Sequence, residues 1–86
     1  MINRVLKSMS YSERKIAQVL AQKLPEGGSV VVGALAEEQG FSRSLAVGTL
    51  RKLGAAGVVE SQNMGRRGTY IRVLDENVWD EMRAVV

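Results

Sequence analysis

Apolar residues recur along this 86-residue chain with two different periods, and the points where the period changes outline its elements. Ile2, Val5, Leu6 and Met9 follow the i, i+3, i+4, i+7 spacing of an amphipathic helix. A segment this short cannot hold a helix alone. Residues 1–9 therefore read either as the end of a linker helix or as a short helix capping the core. Ser10-Tyr11-Ser12-Glu13 then fits a capping box, with serine at the N-cap and glutamate three residues on. The helix it starts runs to about Leu24, with Ile16, Val19, Leu20 and Leu24 facing inward, and Pro25 with Gly27-Gly28 ends it. Ser29-Val30-Val31-Val32 is β-branched and short, a small strand or extended lead-in. A second helix is expected from about Gly33 to Gln39, closed by Gly40.

Residues 42–57 carry the clearest helix of the chain. Ser42 is suited to the N-cap and Gly57 to the left-handed closing position. Ala46, Thr49, Leu50 and Leu53 fall on one face at 3.6-residue spacing, which leaves Ser44, Gly48, Arg51 and Ala55 on the opposite face. Beyond it the period becomes two. Val58–Ser61 and Thr69–Leu74 read as strands joined by the loop Gln62–Gly68, which sets two glycines around Arg66 and Arg67. Asp75-Glu76-Asn77 suits the start of a last helix, whose stripe is Val78, Trp79, Met82, Val85 and Val86. Trp79 lies in the most acidic stretch, which favours a core or interface anchor over a base-stacking platform.

Helix, glycine-containing turn, basic helix and then a hairpin is the order of a winged helix-turn-helix. The fold class expected is mainly α with a small antiparallel sheet: helix, short strand, helix, recognition helix, β-hairpin wing, C-terminal helix. If the segment near Val30–Val32 is a strand and not a lead-in, it adds a third member to the sheet.

Charge changes the picture more than composition does. The net charge is +3, yet residues 41–74 hold six basic side chains against Glu60 alone, and the remainder carries a balance of −2. Such asymmetry fits a polyanionic partner or an ordinary solvated surface. With neither cysteine nor histidine, the chain has no thiolate nucleophile, imidazole base or usual transition-metal ligand, so an enzyme is not expected. No signal-peptide pattern or membrane span is apparent, which fits a cytoplasmic protein without a membrane or metal partner.

The candidate site is a double-stranded DNA contact surface. The start of the 42–57 helix offers free N–H groups and a positive dipole end to a phosphate. Ser42 and Ser44 can hydrogen-bond phosphate or base edges, and Arg43 can grip guanine O6/N7 or a phosphate with two prongs. Capping alone also accounts for Ser42. Gly48 on the outer face either lets backbone and DNA approach closely or is simply tolerated. Arg51 and Lys52, past the middle of the helix, suit phosphate positioning. Arg66 and Arg67 suit the backbone or a narrow minor groove, or else form a solvated hairpin tip. A winged helix serving protein–protein association with an acidic partner is the alternative.

Four stretches carry a family likeness. Ser10-Tyr11-Ser12-Glu13, Phe41-Ser42-Arg43-Ser44 and Leu50–Ser61, followed by the wing Met64–Leu74, resemble the C-terminal DNA-binding domain of CodY regulators. The Gly-Thr-Tyr-Ile segment of the wing is the most specific part, and the 42–57 helix alone is similar, more loosely, to GntR-type repressors. The resemblance implies the DNA-binding half of a dimeric global regulator of low-GC Gram-positive bacteria, mostly a repressor, acting on A+T-rich inverted repeats. It implies that residues 1–9 end a linker from a GAF sensor domain and that residues 10–86 form the DNA-binding domain. Branched-chain amino acids and GTP would act on that sensor, so no cofactor is expected in this chain. By position, the family's recognition contacts fall on Ser42, Arg43 and Ser44. Gly33 and Gly48 depart from it, standing where residues with side chains are expected.

Overall fold

A computed structural model describes residues 7–84. Ile2, Val5, Leu6, Val85 and Val86 of the expected apolar stripes lie outside the described residues. Lys7 and Ser8 are helical, and Met9 is buried in the core.

Helix α1 spans Tyr11–Lys23 and begins with the expected capping box: the Ser10 hydroxyl accepts the Glu13 N–H, and the Glu13 carboxylate accepts the Ser10 N–H. Ile16 and Leu20 are buried as expected, with Val19 and Leu24 packed at the core margin. Ala17 and Ala21 are fully buried as well. The helix packs both on α3 (Arg43–Ala55) and on the last helix, α4 (Glu76–Ala84).

Strand β1 covers Gly28–Val30 rather than 29–32, and α2 begins at Val32 and runs to Gln39. The boundary is set by the partner strand, not by β-branching. β1 pairs antiparallel with β3 (Thr69–Val73), and the register ends at Val30↔Thr69. Past that point Gly68 turns the chain away at φ 89°, and a Cβ there would stand 2.5 Å from the Val30 carbonyl oxygen.

Helix α3 spans Arg43–Ala55, three residues after α2. Ser42 caps it, its Oγ accepting the Leu45 N–H at 3.1 Å. At its far end Gly57 takes φ 76°. The Val58 N–H donates to Leu53 O and the Gly57 N–H to Gly54 O, the paired bonds of a Schellman closure. Ala46, Thr49, Leu50 and Leu53 are the four buried residues of α3. The Thr49 hydroxyl is satisfied within the helix, donating to Leu45 O at 2.9 Å.

Strand β2 is Val59–Asn63, and the sheet order is β1-β3-β2. The hairpin is longer than its sequence suggests: Gln62 and Asn63, expected in the loop, pair with Tyr70 and Thr69. The connection is therefore Met64–Gly68, with a 3-10 turn at Gly65–Arg67. Asn63 Oδ1 accepts the Gly65 N–H at 2.8 Å, so an Asx turn lets the ladder run on before the chain reverses. Trp79 of α4 is fully buried, and its indole N–H donates to Leu24 O at 2.8 Å, which makes it a core anchor. The whole is a helical domain carrying a small three-stranded antiparallel sheet, the winged helix-turn-helix expected from the sequence.

Candidate nucleic-acid interface

The inward face of α3 is fixed by its burial against α1 and α2, so the opposite face must point out. Arg43, Ser44 and Arg51 are exposed there, and with half-buried Val47 and Gly48 they line one shallow depression. Nothing lies within 4 Å of a Cβ built on Gly48. Ser42 is exposed at the helix start, where its oxygen is occupied by the cap while its O–H is free to donate outward.

Arg43, Val47 and Arg51 also face a second groove, between α3, the start of α2 and the wing. Gly33 borders it, and the Arg43 side chain passes over that glycine, with Cδ 3.7 Å from where a Cβ would be. The wing side of the groove is formed by Ser61, Asn63 and Thr69. Single-residue chemistry does not single these three out, but strand parity does. Counting in twos from buried Val59 and from buried Ile71 places all three on the core-side face, beyond the point where the core ends.

Arg66 and Arg67 sit in the 3-10 turn at the wing tip, both exposed. Among the described residues, no carboxylate lies within ion-pair distance of Arg43, Arg51, Arg66 or Arg67. Several cations elsewhere are compensated: Lys23 by Glu38, Arg72 by Glu60 and Arg83 by Asp80.

Lys52, expected with Arg51 to position phosphates, does not share the depression that Arg51 lines. One position further round the helix, it lies on the flank of α3 toward α1, with Nζ 2.9 Å from Glu13 Oε1. Glu13 is a buried carboxylate, and the Lys52 ammonium and the Ser10 N–H together hold its pKa below the ordinary glutamate value, against the upward push of burial. The ammonium expected at a phosphate is thus engaged in joining two helices.

Among the described residues, no group of histidine, cysteine, aspartate or glutamate is placed to hold a metal ion, and no helix is long and apolar enough to cross a membrane. The family model described as the CodY helix-turn-helix domain matches residues 25–85, a span that takes in β1, α2, α3, the wing and α4. With that match over most of its length and with the capped basic helix and wing in place, the chain belongs to the CodY helix-turn-helix family of DNA-binding domains.

Proposed function

We propose that this chain is the DNA-binding half of a CodY-like transcription repressor, with residues 10–86 as the winged helix-turn-helix unit and residues 1–9 as the end of a linker helix. In this function α3 enters the major groove of duplex DNA. Arg43 and Ser44 reach base edges, Ser42 caps the helix and donates to a phosphate, and Arg51 holds the backbone. Gly48 lets the helix backbone come close. Arg66 and Arg67 follow the backbone or enter the narrow minor groove of an A+T-rich inverted repeat. Lys52 contributes chiefly by holding α3 against α1. The full regulator acts in the bacterial cytoplasm as a homodimer, matching the two-fold symmetry of its site. Its effectors, branched-chain amino acids and GTP, act on the sensor domain.

The observation that carries this function is the set of four uncompensated arginines, Arg43, Arg51, Arg66 and Arg67, on α3 and the wing of a CodY-type domain. Cations with no carboxylate within ion-pair distance are available to neutralise phosphates. The test is a mobility-shift titration on duplex DNA across a salt series. Steep salt dependence, with an A+T-rich inverted repeat bound more tightly than random duplex, is expected. Absence of binding at low salt would overturn the assignment in favour of a protein-association module, and equal affinity for both duplexes would overturn its sequence-specific part.

A further inference from the structure

The depression on the outer face of α3 has a chemistry of its own. Its floor is the helix backbone at Gly48, with nothing within 4 Å of the missing side chain, and its walls are Val47 and Ser44. Arg43 and Arg51 stand on either side. Glycine is the weakest helix former after proline, and no neighbouring group of this chain needs the space it leaves. Val47 turns an apolar, half-buried side chain into the hollow from a face that is otherwise polar and basic. The hollow is thus shallow and open, partly apolar, and flanked by two cations that suit the acceptor-rich surroundings of a DNA groove.

Ser44, Arg43 and Arg51 around the hollow can meet the hydrogen-bonding groups of the major groove, whereas the Val47 side chain beside the bare backbone at Gly48 offers no partner to a donor or acceptor. It suits the C5-methyl of thymine, which is the one apolar projection among the four ordinary bases and packs against small aliphatic groups. The geometry points to the Val47–Gly48 hollow as a receptor for a thymine methyl group, which makes these two residues determinants of sequence preference. The assignment rests on the proposal that α3 lies in the major groove. Arg43 and Arg51 hold the helix at the depth where the methyl enters, and the absent Cβ of Gly48 supplies the room.

The test starts by selecting duplexes bound by the 86-residue chain from a random pool. Each thymine of the selected sequence is then replaced singly by deoxyuridine, which removes the methyl and keeps every pairing group. With the natural chain, one thymine per half-site is expected to be sensitive, losing affinity about three- to fivefold, the scale of one buried methyl group. Val47→Ala should bring the thymine and uracil duplexes level. Gly48→Ala should weaken binding to the thymine duplex while sparing the uracil duplex at that position. Circular dichroism confirms folding of both variants, and the base replacement leaves the protein untouched. An enriched sequence with no uracil-sensitive thymine, or a thymine-to-uracil ratio that neither variant changes, overturns the methyl receptor and leaves DNA binding standing. Failure to enrich any duplex overturns both.

Discussion

Glu13 of α1 and Lys52 of α3 form a 2.9 Å ion pair, and the same Glu13 oxygen accepts the Ser10 backbone N–H that starts α1. One carboxylate therefore fixes the start of the first helix and the flank of α3 together. Lys52→Met should leave that carboxylate with one partner fewer and, because the ammonium is nearly half exposed, cost about 1 kcal/mol, measured by urea denaturation. The slope of log affinity against log salt should change little, since the ammonium is engaged within the protein. A slope reduced by about 1 would instead assign Lys52 to a phosphate.

The same pair gives stability a defined pH dependence. The Glu13 carboxyl is held below its ordinary value, so the unfolded chain takes up a proton at higher pH than the folded chain does. Its contribution is complete above the ordinary glutamate range and is lost as pH falls through the lowered folded value. Thermal melting from neutral to acid pH should show this loss, and Glu13→Gln should start from lower stability and lose less on acidification.

Arg43 and the wing arginines should separate base reading from charge. Arg43→Ala is expected to relax preference between duplex sequences, at about 1–3 kcal/mol for removal of a two-pronged grip on a base. Arg66→Ala and Arg67→Ala should weaken all duplexes alike and lower the salt slope by about 0.9 for each phosphate no longer neutralised. Equilibrium titrations on two sequences at several salt concentrations distinguish the two patterns.

Gly68 joins the wing to the body of the domain. A methyl group there would stand 2.5 Å from Val30 O on a backbone at φ 89°. Gly68→Ala should therefore displace β3 from β1 and cost about 2–4 kcal/mol, combining steric overlap with an unfavourable backbone region. The chain has a single tryptophan, Trp79, buried in the core, so its fluorescence reports the unfolding transition directly. By contrast, Gly48→Ala meets no neighbour and should stabilise the helix by about 1 kcal/mol.

What could be read from the sequence was decided by local chemistry. Ser10 with Glu13, Ser42 and Gly57 each act within a few residues of themselves, and the helix ends they mark are where expected. The inward stripe Ala46, Thr49, Leu50, Leu53 follows from helical period alone. Strand limits do not, because pairing sets them. Val31 and Val32 are β-branched but lie past the end of the partner strand, whereas Gln62 and Asn63 are poor strand formers that still pair with Tyr70 and Thr69. The fate of Lys52 was invisible for the same reason, since its partner lies 39 residues away. Arg43, Ser44, Gly48 and Arg51 could be brought to one surface by helical winding, but the polar groups of the wing that face them emerge only with the register.

That register divides each wing strand into two segments with different obligations. Val59, Ile71 and Val73 pack on or against the core, while Ser61, Asn63 and Thr69 continue the same face out over the groove. Exchanging residues in the outer segment disturbs little packing. Selection, natural or in the laboratory, thus has positions at which the chemistry of the groove can drift while the fold is conserved.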